Sequence, residues 1–256
     1  MIRLAVGSAL AAGVALGAYR LRALSFDGAI AALAVGTIVV AARGWSGAAV
    51  LLAFFLPSAL LTRMGRERKR SLRGTQEAAP RTAWQVLANG GVATLCAVAA
   101  HGASAPFNAA FAGAFAAASA DTWATEIGTL ARRRPVSILT FRPIETGLSG
   151  GVTLLGTCAM IAGALCVAVV ASLLQVAPLL PVAAAGIAGA LLDSIVGAGL
   201  QARQWCPSCS CECETPRHYC GTPTTMRRGV RWIQNDAVNL TATLGGAIVA
   251  AALVLR

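Results

Sequence analysis

The sequence predicts an all-α, polytopic membrane bundle of about eight transmembrane helices, and three observations predict it. Hydrophobic residues make up 57% of the chain and charged residues only 12%, with a mean hydropathy of +0.69, far from a soluble globular domain. The apolar runs match the roughly 20 residues that a bilayer-crossing helix needs. Of the 21 Lys and Arg, 18 fall in alternate loops, as the positive-inside rule requires of a polytopic chain. The formal net charge of +11 is therefore read as topology and phosphate contact, with no nucleic-acid face. Aromatics are few and Ala and Gly many, so helix contacts should be close ones between small residues.

In chain order, Ile2 to Tyr19 is the first apolar run, flanked by Arg3, Arg20 and Arg22. A cleaved signal peptide is the competing reading, but no small-x-small cleavage site precedes a mature domain. Phe26 to Ala42 and Trp45 to Thr62 follow. Arg63 to Arg81 is then a polar insert with seven bases, Arg63, Arg66, Arg68, Lys69, Arg70, Arg73 and Arg81. Trp84 to Ala100 is the fourth span, and Pro106 to Leu130 the fifth. At 1.5 Å per residue the fifth reaches about 37 Å, beyond the roughly 30 Å hydrocarbon core. A basic loop, Ala131 to Gly150, leads into Val152 to Leu174. After a turn at Pro178 and Pro181, a seventh span runs to Leu200. A cysteine-rich loop reaches Val230, and a last span starts at Arg231. The chain reads as one transmembrane domain, 1–256, with the loop 201–230 inserted between the last two helices. The base count puts the loops after spans one, three, five and seven in the cytoplasm and both termini outside.

Asp121 and Glu126 stand inside the apolar fifth span. A carboxylate at bilayer depth costs a few kcal/mol, so it normally faces a polar cavity, a partner or an ion. In the deduced topology Asp27, Asn89, Asp121, Glu126, Asp193, Asn235 and Asp236 come from five spans and lie toward the cytoplasmic end of each. One carboxylate at a helix end reads as a group solvated by headgroups or complementing the helix dipole. Seven polar groups at one depth read as a shared cytoplasm-facing site.

Clustered carboxylates hold a hard divalent cation, and Mg²⁺ usually shares that shell with phosphate oxygens and water. Asp121 and Glu126, five apart, stand about 140° around a helix and would flank a cleft. A second helix must contribute, and Asp193 and Asp236 are the candidates. Asp193, Gly197 and Gln201 form a stripe of one helix face, while Asp236 neighbours Asn235 and Asn239. Ser149, Gly150 and Gly151 at the start of the sixth span, and Asn89 to Gly91, offer backbone N–H groups to phosphate. Tight helix packing is the other reading of each Gly-Gly pair. Arg142 and Arg231 suit phosphate clamps, or else snorkel at the interface.

Cys96, Cys158 and Cys166 lie within spans and read as small packing residues. The other five cysteines crowd into one loop on the reducing side, where thiolate and imidazole ligation of zinc is favoured over disulfides. The expected ligands are Cys206, Cys209, His218 and Cys220, with Cys211 or Cys213 as substitutes. A redox-active or metal-free loop is the competing reading. Four good ligands close the shell, so the zinc would be structural.

The blocks Phe26 to Ala29, Asn89 to Gly91, Asp121-Thr-Trp-Ala-Thr-Glu126-Ile-Gly128, Ser149 to Thr153 and Asp193-Ser194 with Gly197, Ala198 and Gln201 resemble the integral membrane family that includes plant phytyl-phosphate kinase. Cys-x-x-Cys, His-x-Cys-Gly and Asn235-Asp236-x-x-Asn239 resemble its bacterial members. The resemblance covers nearly the whole chain. It implies a kinase that moves the terminal phosphoryl of CTP, or another NTP, to an isoprenoid (phytyl- or geranylgeranyl-like) monophosphate. In that reading Mg²⁺ sits on Asp121, Glu126 and Asp193, with Asp236 as a further catalytic carboxylate. The phosphates lie against Asn89, Arg142, Ser149 to Gly151, Arg231, Asn235 and Asn239. A CTP-dependent lipid kinase of another specificity, a CDP-lipid cytidylyltransferase and a transporter are the alternatives.

Overall fold

A computed structural model describes residues 2–64, 80–100, 104–218 and 220–255. The bases Arg66, Arg68, Lys69, Arg70 and Arg73 lie outside the described residues. The elements in order are α1 (Ile2–Arg20), α2 (Phe26–Met64), α3 (Ala83–Ala99), α4 (Ala105–Gly128), β1 (Val136–Ser137), β2 (Gly151–Val152), α5 (Leu154–Leu173), α6 (Leu179–Gly199), β3 (Arg203–Cys206), β4 (Cys211–Cys213), β5 (Thr225–Arg228) and α7 (Asn235–Val254).

A straight helix as long as α2 would span about 58 Å, yet Arg63 Nη2 donates to Leu21 O at 2.6 Å. The two ends of α2 are therefore neighbours. The chain turns back at Gly44, whose φ of 63° and ψ of −152° are not helical. An L side chain adopts such a positive φ at a cost, and glycine does not. The break falls between the two apolar runs read from the sequence, so 26–43 and 45–64 are antiparallel arms. Arg3 donating to Ala41 O and Arg43 donating to Ala100 O mark one end of the bundle. Leu21, Ser25, Arg63 and Arg81 mark the other.

Helix α4 is the axis. It packs on α2, α3, α5, α6 and α7, and every residue from Ala109 to Ala120 is buried. Its polypeptide is almost all Ala and Gly there, so neighbouring backbones come within reach of one another. A Cβ on Gly189 of α6 would overlap Ala117 Cβ and stand 2.7 Å from Ala242 O. One on Gly113 would stand 2.7 Å from Gly246 O. Phe54, Phe111 and Phe115 fill the wider space toward α2, with ring centroids 5.6 and 5.3 Å apart.

Five described helices, α1, α2, α5, α6 and α7, are long and apolar enough to cross a membrane, and α3 is a shorter apolar helix. The central α4 is wholly covered by protein from Ala109 to Ala120. The expectation of a purely helical chain is corrected by two small sheets. β1 and β2 pair antiparallel, and β4-β3-β5 form an antiparallel sheet in the cysteine-rich loop. These strands of two to four residues are too short to show an alternating pattern.

Replacing Gly189 by Val is expected to lower stability by about 1–3 kcal/mol through overpacking against α4. Gly17→Ala, whose Cβ meets nothing within 4 Å, should leave the unfolding temperature in detergent unchanged or slightly raised.

Candidate functional site

A cavity of about 180 Å³ lies at the end of α4 between α5, α6 and the 146–153 turn. Asp121 of α4 and Asp193 of α6 both line it, and their carboxyl groups lie within hydrogen-bonding reach. Asp193 Oδ2 is buried and receives no hydrogen bond. Two carboxylates this close are costly in a low-dielectric site unless a proton or a cation is shared between them. A hard divalent cation satisfies both, so this donor set fits Mg²⁺. Thr125, Thr129, Thr157, Ser194 and Asn235 supply the remaining polar wall.

The turn at Ser149 closes one side. Gly150, at φ +79°, lies so close to Ala198 that any side chain would overlap the α6 backbone. Gly197 offers the same close approach to Ser149, consistent with its place on the Asp193 stripe. Ser149, Gly150 and Gly151 all line the cavity, and two of their three amides, those of Ser149 and Gly151, are engaged within the protein. Ser149 N and Oγ donate to the Glu214 carboxylate at 2.7 and 2.8 Å, and Gly151 N donates to Leu148 O at 3.3 Å. Gln201 Nε2 also donates to Glu214 at 2.8 Å, and Arg203 Nη1 stands 3.4 Å from it. Arg203 Nη2 returns to Ser149 O at 3.1 Å. Burial pushes the Arg203 guanidinium below its ordinary pKa and Glu214 pushes it back up. This network welds the cysteine-rich loop to the cavity wall. Glu214 and Arg203 were not anticipated; an acid directly after Cys213 was the available signal.

Several expected residues lie elsewhere. Glu126 does not line the cavity; its Oε1 accepts from Thr62 Oγ1 at 2.8 Å, on the α2 side, as the 140° offset from Asp121 dictates. Arg81 Nη2 donates to the same Thr62 hydroxyl at 3.1 Å, and its charge acts on Asp121. Arg142 is exposed in the turn after β1, and Arg231 is exposed ahead of α7. Asp236 stands about 100° around α7 from Asn235, and Asn239 lies one turn deeper; neither lines the cavity. Asn89 lines a separate apolar cavity. Asp27 accepts from Ser25 Oγ at 2.6 Å and from Ala83 N at 2.9 Å, so it caps α3.

The ligand atoms of Cys206, Cys209, His218 and Cys220 all lie within 4.8 Å of one another. Cys206 Sγ is 3.6 Å from Cys220 Sγ, and His218 Nδ1 is 3.2 Å from Cys220 Sγ. These separations approach the roughly 3.8 Å edge of a tetrahedron with 2.3 Å Zn–S bonds. Cys211 Sγ contacts Nε2, on the other side of the His218 ring, at 3.5 Å, and so stands behind the cluster. Cys213 turns to Thr215 O. Hydrogen bonds with Thr222 and His218 lower the Cys220 thiol to about 6, while that with Cys220 raises Cys209 to about 11. A dication at the centre would remove this mutual opposition by taking all three as thiolates.

A family model described as an integral membrane protein, DUF92, matches residues 9–247. The chain is 32% identical to an uncharacterized membrane protein of Methanocaldococcus jannaschii over 97% of its own length and 93% of the relative's. It is 30% identical to protein PGR of Arabidopsis thaliana over 90% and 89%. A Synechocystis membrane protein matches at 28% over 65% and 68%. No solved structure matches significantly.

Purified protein is expected to carry one zinc per chain by elemental analysis, lost in Cys206→Ser or Cys220→Ser and kept in Cys213→Ser. Glu214→Ala leaves Arg203 buried without its carboxylate and should cost about 3 kcal/mol, read as a lower unfolding temperature.

Proposed function

The chain belongs to the integral membrane family DUF92, and from that premise we propose that it is a membrane-embedded phosphotransferase. It moves the terminal phosphoryl group of CTP, or another nucleoside triphosphate, to an isoprenoid monophosphate, giving the diphosphate. The observation that carries this reading is the pair Asp121 and Asp193 lining one hydroxyl-bearing cavity, with Asp193 Oδ2 buried there and receiving no hydrogen bond. The resemblance of the Asp121 to Gly128 and Ser149 to Thr153 blocks to the phytyl-phosphate kinase family supplies the substrate class.

Asp121 and Asp193 would hold Mg²⁺, with Glu214 adding negative charge at Asp193. Bound there, the ion supplies charge neutralisation between donor and acceptor phosphates. The chain's own groups do the rest. Ser194, Asn235 and the Thr125 hydroxyl of α4, which line the cavity, would donate to phosphate oxygens as charge shifts. Arg81, beside Asp121, supplies the fixed cation nearest the acceptor side. Glu126 steadies Arg81 through the Thr62 hydroxyl, which donates to one and accepts from the other. The acceptor is already an anion, so no general base is needed, and the work is positioning and electrostatics. Ser149, held by Glu214, keeps the cavity wall at fixed distance from α6.

In this reading the two arms of α2 cross separately, giving eight spans. The end bearing Asp121, Asp193 and the basic loops faces the cytoplasm, where nucleotide is found. The zinc hairpin caps that same end.

Terminal-phosphate transfer from labelled CTP, ATP, GTP and UTP to a panel of prenyl monophosphates is the test, with and without Mg²⁺. Asp121→Asn and Asp193→Asn are each expected to lower kcat/KM by about 10³-fold or more in folded protein. Normal turnover by either variant, or no labelled diphosphate with any donor, rejects the assignment. Release of pyrophosphate would move it to cytidylyl transfer.

A further inference from the structure

A second cavity, of about 260 Å³ and almost wholly apolar, lies between α1, both arms of α2 and α3. Its walls follow helical stripes: Gly7, Leu10, Ala11, Val14 and Ala15 of α1 face the 26–43 arm. Along that arm it runs from Ala32 to Val40, about 12 Å at 1.5 Å per residue. The polar groups that line it are Arg81, Gln85 and Asn89, and these belong to the end of the bundle that carries Asp121.

Arg81 is built into this position. Its N–H donates to Ala23 O at 3.0 Å, and its carbonyl accepts from Ser25 N at 3.0 Å and Ser25 Oγ at 2.9 Å. Gly28 passes directly beneath that carbonyl, with no room for a Cβ. The guanidinium enters the bundle to reach Thr62 and acts on Asp121, which lines the polar cavity. Arg81 thus stands where the two cavities approach each other. A fixed cation at one end of a long apolar cavity selects an amphiphile with an anionic head and a hydrocarbon tail. The volume limits the tail. An apolar cavity of about 150 Å³ takes one benzene, so this one takes about ten carbons of a single chain, the head-proximal part of a longer isoprenoid tail, and not the two chains of a phospholipid.

We propose that this cavity is the acceptor's tail site: a single-chain isoprenoid phosphate lies with its tail between α1, α2 and α3 and its phosphate at Arg81. The proposal rests on the phosphotransferase reading and extends it by placing nucleotide and lipid on opposite sides of Asp121. Nucleotide then occupies the α4, α5 and α6 face, and lipid enters sideways from the bilayer through the α1 side. Asn89 serves the lipid head, not the nucleotide.

The test is photolabelling of purified protein by a prenyl monophosphate with a diazirine in its tail, the labelled residues being mapped by mass spectrometry. Label should concentrate on Val14, Val35 and Leu52 and be competed by unmodified prenyl monophosphate but not by inorganic phosphate. It should fall about tenfold in Arg81→Gln and in Ala32→Phe, which fills the cavity, and persist in Asp193→Asn. Should Arg81→Gln fail to fold, Ala32→Phe still decides, since it should raise KM for long-chain acceptors and spare a five-carbon one. Label on the α5 and α6 faces, or equal labelling of the cavity by a diacyl phospholipid probe, overturns the proposal. Specific cavity labelling without phosphoryl transfer by the wild type would reject the phosphotransferase and keep the lipid site. Transfer with label elsewhere would do the reverse.

Discussion

Everything in this molecule depends on how closely backbones pack against α4. From Ala109 to Ala120 no side chain larger than Phe interrupts a surface of methyl groups and hydrogens, and all of it is buried. Inside a bilayer the hydrophobic effect does not draw helices together, since lipid tails are as apolar as leucine. Cohesion then comes from dispersion between many atoms at close range. Gly189, Gly113 and Gly246 allow α6 and α7 to lie directly on α4, and the helix ends that follow are fixed by that contact.

The polar site is a consequence of the same packing. Asp121 begins where the uninterrupted buried stretch of α4 ends, and Asp193 belongs to the helix that Gly189 seats against it. Two carboxylates that would separate in water are held together because their helices cannot move apart without opening the small-residue seam. The Ser149 turn is held in turn by Gly150 against Ala198 and by Glu214 against Ser149. The cysteine-rich hairpin, which makes no crossing of its own, is thereby tied to the cavity by a buried carboxylate, amide and guanidinium. In a protein with few charges, this concentration of paired charge at one end separates a polar cavity from an apolar one. Arg81 marks the boundary.

The zinc-type cluster follows a different physics from the bundle. Its four Cys and His side chains come from one hairpin and the turn that follows, so local chain geometry brings them together without help from the helices. That is why the sequence spacing already pointed to Cys206, Cys209, His218 and Cys220, and why the contest with Cys211 and Cys213 needed the strand register. In an antiparallel pair Cys206 stands opposite Cys211, and the His218 ring then presents Nδ1 to one side and Nε2 to the other.

The sequence by itself determined the apolar runs, the division between Ala42 and Trp45, the gathering of basic loops and the kind of residue worth examining. Each is written in composition or in short-range spacing, because hydropathy, backbone freedom and charge act locally. It also determined that Asp121 and Glu126 point about 140° apart on one helix, so that a second helix must contribute to any ion site, although it still assigned Mg²⁺ to both. Only the tertiary structure decided which other groups each one meets. Asp193, not Asp236, faces Asp121; Glu126 goes to Thr62; Glu214 takes the Ser149 amide expected for phosphate; Asn89 joins an apolar cavity with Arg81. These outcomes depend on the rotation of each helix about its own axis, and in a bundle of Ala and Gly with apolar residues all round, no amphipathic stripe records that rotation. It is set by which glycine meets which alanine across the seam, a contact between residues far apart in the chain.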